Sequence, residues 1–306
     1  MSPKHAEGPY AEGRAFSIVG GKLPGRLIDA CRNKRAVDLS PTLSPKLPLT
    51  SPGVGTGNHR QVYLKIDFLY SDYLDMWHHG HLMDSMAGTH LVPPAYSLPA
   101  DDKPVAYDPE VRGWLEEYEK KYGTLGSSIL TNEKVPIEWT CGEARVIDVR
   151  NLVGSTNPSS WPSSPEITVK QVQGYEQKAG ALRSGDVVIF QTGHNDKFLH
   201  EPMDNPAMWS DPLRGKTEGW PAPGADLIVY LKEKGIRCIA SDAPDLGGVD
   251  PKRALMTYWA LGSREMVGVE FLVNVDKIPA KQAYFIFAAI KVRDCHGGPG
   301  RAIVLW

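Results

Sequence analysis

From residue 143 to its end this chain alternates short apolar runs with stretches of helical spacing, and that alternation leaves few folds open. Residues 143–149, 185–190, 236–241, 267–273 and 284–292 are short and densely apolar, and they read as strands. Between them, 168–181, 225–234 and 251–261 carry apolar residues at three- and four-residue intervals and read as helices. Gly235 follows one of them, as the expected helix-stop residue. Strands and helices in turn bury a sheet beneath helices, which is the α/β class. With no internal repeat and no low-complexity linker, one domain is the simplest account of 306 residues.

The first half is less regular. Residues 36–40 and 61–70 read as strands, the second by its alternation of apolar and polar side chains. Residues 41–60, rich in Pro, Ser, Thr and Gly, read as a long loop. Residues 1–34 read as a polar N-terminal arm ahead of a domain over 35–306, with 97–134 as an insertion. That insertion holds a helix over 109–122, with Pro109 near its start. A pocket lid or a subunit contact is its expected use.

The formal net charge of −2 gives no electrostatic case for nucleic acid or an anionic membrane surface. No uncharged apolar stretch reaches the ~18–20 residues that a membrane helix needs. Residues 1–8 lack the apolar run of a signal peptide, so a cytoplasmic protein is expected. Four cysteines without a CxxC pair argue against a disulfide framework. Cys141 and Cys238 read as small buried thiols.

Chemistry concentrates between residues 78 and 90, where His78, His79, His81 and His90 are four of the nine histidines. Imidazole is both a metal ligand and a base near neutral pH. A strand over 76–86 would face Asp84 and Met86 one way and His79 and His81 the other. His78, His79 and His81 read equally well as structural or surface residues. Asp242 and Asp245 follow a buried strand, where ligand sites in open α/β sheets gather. Asp245 reads more simply as a turn residue, and Asp242 as a site residue.

The order of these pieces resembles the cyclase family, which includes bacterial kynurenine formamidases and isatin hydrolases. Five landmarks carry the resemblance over roughly residues 36–306. They are Gly88-Thr89-His90 with Pro94 beyond it, Gly185-Asp186-Val187-Val188 leading to Thr192-Gly193, and Ser241-Asp242-Ala243-Pro244. Val269-Glu270-Phe271-Leu272 and Pro299-Gly300-Arg301-Ala302 complete the set. The resemblance implies a swivelling β/β/α fold with a mixed central sheet and long loop insertions, in a homodimer or homotetramer.

It also implies a divalent metal, Zn or Mn, held by two His and an Asp of a His-x-Gly-Thr-His-x-Asp-x-Pro-x-His pattern whose last His is the acid/base. Aligned on Gly88-Thr89-His90, those four positions read Met86, His90, Val92 and Tyr96. A further family His falls near Tyr258, and Arg301 matches a family position that reads equally as a structural ion pair.

Two functions are therefore open. In the first, His90, Glu270 and Asp84, with His81, hold a metal that activates water against a small amide, formamide or lactam. Tyr96, His194 and Asp242 are the catalytic candidates beside His90. In the second, the metal is gone, and the protein is a lyase or dehydratase using His and Tyr groups, or a ligand-binding protein.

Overall fold

The computed structural model describes residues 29–30, 32–33, 35–44, 47, 63–70, 76–100, 105–200 and 205–306, with only the backbone of 63–70, 76–79 and 82. Most of the expected arm and of the 41–60 loop, and the side chains of His78 and His79, lie outside the described residues.

Twelve strands are described: β1 Ala36–Asp38, β2 Tyr63–Tyr70, β3 Met76–Met83, β4 His90–Val92, β5 Cys141–Asp148 and β6 Glu166–Ile167. They continue with β7 Val187–Gln191, β8 Ala222–Pro223, β9 Cys238–Ser241, β10 Val267–Glu270, β11 Tyr284–Ala289 and β12 Gly298–Leu305. The helices are α1 Pro109–Tyr122, α2 Val169–Ala179, α3 His194–Phe198, α4 Ser210–Leu213, α5 Ala225–Glu233 and α6 Pro251–Ser263.

The main sheet runs β1-β12-β11-β5-β7-β9-β10-β4, and β12 pairs with β4 as well. That extra pairing closes seven strands into a barrel-like ring, with β1 added on β12. The segment β5-β7-β9-β10 is parallel, whereas β4, β11 and β12 join antiparallel. The single-domain α/β class and the mixed sheet are thus as expected. Strand β12, which no apolar periodicity signals, runs through the Pro299-Gly300-Arg301-Ala302 landmark and bridges three strands.

Alternation along the strands sorts side chains into two cores. Leu91, Ile189, Ala240, Val269, Phe285 and Phe287 fill the ring interior. Val92, Val188, Phe190 and Ile239 face the other way, against Trp259 of α6 and Leu227 and Leu231 of α5. Each fully buried large side chain contributes about 1.5–3 kcal/mol. The helix inside the insertion belongs to this outer layer. Asp108 accepts the Val111 N–H at 2.9 Å to cap α1. Tyr118 of α1 packs edge-on to Trp259 at 5.6 Å, and its hydroxyl meets Ser263 Oγ at 2.7 Å. No described helix is long and apolar enough to cross a membrane.

Candidate active site

The site begins with a register. Strands β4 and β10 pair antiparallel with His90 opposite Glu270, on the outward side opposite to Leu91 and Val269. Two left-handed residues fix the chain on either side of that pair. Gly88 has φ of +60°, and a Cβ there would lie 2.6 Å from Leu43 Cδ2. Phe271 has φ of +64°, which for a bulky residue costs on the order of 1–3 kcal/mol. Its N–H donates to Ala243 O at 3.1 Å, and its carbonyl accepts the Thr89 hydroxyl at 2.9 Å. Strain at Phe271 is thus tied directly to the turn that carries His90.

His90 Nε2 and Glu270 Oε2 lie 3.1 Å apart, with the side chains 1% and 3% exposed. His90 Nδ1 is 2.9 Å from the Gly88 carbonyl oxygen. Glu270 Oε1 accepts the Leu246 N–H at 2.9 Å and the Tyr258 hydroxyl at 2.7 Å. The Tyr258 ring meets Tyr96 edge-on at 5.2 Å, and Tyr96 is 37% exposed, so the cluster extends to the surface. Burial, followed by the charges of Glu270 and Asp245, raises the Tyr258 hydroxyl well above the usual tyrosine range, so Tyr258 is a hydrogen-bond donor here.

Asp245 sits one residue before Leu246 and is half-buried. Its Oδ1 accepts three N–H groups: Gly248 at 2.7 Å, Gly247 at 2.9 Å and Trp220 Nε1 at 3.0 Å. Burial, then the charge of Glu270, pushes this carboxyl well up from the usual aspartate range. The turn expected at Asp245 is there, in the Gly247 and Gly248 bonds, and the Trp220 bond and the nearby charge of Glu270 come in addition. The clue was an acid followed by Leu-Gly-Gly at the carboxyl end of a buried strand, where side-chain-free backbone amides can cradle one oxygen.

The other expected residues are placed elsewhere. Asp242 is fully buried and binds one turn: Oδ1 accepts the Thr192 N–H at 2.6 Å and its hydroxyl at 2.7 Å, and Oδ2 accepts the Gly193 N–H at 2.9 Å. Burial brings its carboxyl up to about 6. His194 is buried against Phe198 and Trp220, with ring centroids 4.8 and 5.4 Å away. Its Nε2 lies 2.8 Å from the Met208 carbonyl. Burial takes the imidazole down to about 4, so it is neutral near pH 7. Trp220 stands between it and Asp245. Arg301 pairs with Asp38 at 2.6 Å on the surface.

The expected four-residue metal set is not assembled. Strand β3 ends at Met83, before Asp84, whose carboxylate instead accepts the Met86 N–H at 2.8 Å in the following turn. His81 is exposed on the β2–β3 hairpin. Met86 packs on Gly297, where a Cβ would come within 2.7 Å of its sulfur, and a thioether is a poor donor to Zn or Mn. Val92 is buried in the outer core. Both ring nitrogens of His90 and both oxygens of Glu270 already have protein partners. Among the described residues, no three His, Cys, Asp or Glu side chains converge on a cation. The described residues do not fit the divalent metal that the resemblance implies.

Comparison with known proteins agrees with the architecture. A family model described as a putative cyclase matches residues 37–247. An isatin hydrolase from Roseibium aggregatum is 26% identical over 204 residues, covering 59% of this chain and 72% of that protein. The structure of isatin hydrolase A from Labrenzia aggregata, bound to benzyl benzoate, superposes with a TM-score of 0.66 at 20% identity, over 93% of this chain and 99% of that one. A predicted metal-dependent hydrolase from Bacillus stearothermophilus gives 0.55 at 16% identity, over 88% and 97%.

Proposed function

This chain belongs to the cyclase family, and from that premise we propose that it hydrolyses the C–N bond of a small amide, formamide or lactam. The observation that carries the reading is the His90–Glu270 contact at 3.1 Å, built from residues 180 apart in sequence and backed by Tyr258 and Asp245. The isatin hydrolase relative supports the bond type.

Amide hydrolysis needs a base for water, a donor for the carbonyl oxygen and an acid for the leaving nitrogen. Asp245 is the half-buried carboxyl of the cluster, and its upward shift brings it toward the operating pH of a general acid–base group. In this reading Asp245 takes a proton from water as the oxygen attacks the carbonyl carbon. Tyr96 donates to the developing oxyanion. Asp245 then returns the proton to nitrogen as the C–N bond breaks, leaving a carboxylic acid and an amine. His90, Glu270 and Tyr258 hold the charge and geometry beneath it. The reading uses no metal-activated water, because Met86 and Val92 stand where donors are needed.

The same absence of donors favours a second reading, a lyase or dehydratase using these acid–base groups. A panel of aryl formamides and lactams in 18O-labelled water tests both. Hydrolysis places one solvent oxygen in the carboxylate product, and His90→Ala abolishes it while unfolding stays cooperative. Turnover without label, or full turnover by His90→Ala, contradicts the first reading.

A further inference from the structure

Both ring nitrogens of His90 have a protein partner, and the chemistry of those partners sets what each nitrogen does. A backbone carbonyl only accepts, so Nδ1, at 2.9 Å from Gly88 O, carries a hydrogen. Nε2 faces Glu270 Oε2 at 3.1 Å. A bare ring nitrogen and a bare carboxylate oxygen are both acceptors, and they repel when buried together. A proton shared between the two atoms removes that repulsion. Glu270 Oε1 offers no alternative site for it, since it already accepts from Leu246 and Tyr258.

The orientation is informative. A metal-ligating His typically donates one ring N–H to a carbonyl and aims the other nitrogen at the cation. His90 keeps that orientation, but Nε2 meets a carboxylate, and the neighbouring donor positions are the thioether of Met86 and the isopropyl group of Val92. Among the described residues, two side chains remain where three or four would be needed.

We infer that a single proton held between His90 and Glu270 occupies the place of the divalent cation, so that this site works by Brønsted rather than Lewis acidity. The inference concerns what the pair binds and holds whether or not the protein turns over an amide.

The test uses the whole chain, purified without chelator. Metal content is measured by mass spectrometry, and the proton by its downfield resonance bonded to a 15N-labelled imidazole. The expected result is far less than about one metal per chain. It includes a downfield imidazole proton that vanishes in both His90→Gln and Glu270→Gln and stays in place in ~1 mM Zn2+ or Cd2+. Stoichiometric metal overturns the inference, and so does loss of that proton on adding either cation. A metal-free protein with no such resonance overturns it too. Because neither readout uses turnover, a failure here is distinct from a failure of the hydrolase assay.

Discussion

Two buried carboxylates stand at the carboxyl ends of neighbouring parallel strands, Asp242 just after β9 and Glu270 closing β10, and their surroundings differ in kind. The Asp242 side chain accepts three hydrogen bonds, all from Thr192 and Gly193 in the turn between β7 and α3. Glu270 is met by three separate segments: β4 through His90, the loop after β9 through Leu246, and α6 through Tyr258. A carboxylate filled by one turn pins that turn. A carboxylate filled by ionisable side chains from different elements can hold and pass protons. Burial is the same in both places, so burial alone does not mark a site.

Breaking the structural clasp should cost the most stability. Asp242→Ala leaves two buried N–H groups and a hydroxyl without their acceptor and should lower unfolding free energy by about 3–5 kcal/mol in a urea titration. A loss under about 1 kcal/mol would mean the turn finds other partners.

The pH arm of the comparison comes next. His194 falls to about 4 in the folded chain from an ordinary 6.5. The unfolded chain therefore binds more protons below pH 6.5, and stability is lost as pH falls from there through 4. Over that window the loss is up to about 3 kcal/mol. Asp242, raised to about 6 from 3.8, acts in the opposite direction, since its contribution is present below 3.8 and is lost as pH rises through 6. His194→Gln should therefore remove the acid-side loss and leave the alkaline-side one, read from urea midpoints between pH 4 and 8. An unchanged acid-side slope would assign it to another group.

Smaller effects sharpen the site side. Gly88→Ala forces a Cβ into Leu43 at positive φ and should cost about 1–2 kcal/mol in unfolding free energy, with a larger proportional loss of activity because the turn aims His90. Tyr258→Phe removes one hydrogen bond to Glu270 and should cost about 1 kcal/mol of stability. Its pH–rate profile should shift, which a merely space-filling tyrosine would not produce.

The fold was more legible than the site for a physical reason. Periodicity and end signals are local, so Pro109–Tyr122 was read to its boundaries, and the parallel strands β5, β7, β9 and β10 to within a few residues. Strand β12 escaped because no apolar periodicity signals it, while its pairing with β4, β11 and β1 is set by distant partners. In the site, His90 and Glu270 stood out as the surviving family positions. Asp242, expected in the site, is filled by the Thr192–Gly193 turn, while Asp245, expected in a turn, caps its own turn and also meets Trp220. Both follow the same strand, and the long-range donors distinguish them: the Trp220 indole for Asp245, the distant Thr192–Gly193 turn for Asp242. His194 reads in the sequence as a catalytic candidate, and only its packing against Phe198 and Trp220 reveals a buried imidazole.

The central claim is that chemistry belongs to the Glu270–Asp245 side of this pair of neighbouring strand ends and not to Asp242. The most direct measurement is kcat/KM at pH 7 for Asp245→Asn and Asp242→Asn, on whichever formamide or lactam the parent turns over fastest. Both are corrected for the folded fraction. Asp245→Asn should lose about 10²–10⁴-fold while Asp242→Asn keeps nearly all its activity per folded molecule. Full activity in Asp245→Asn, or the larger loss in Asp242→Asn, would contradict the account.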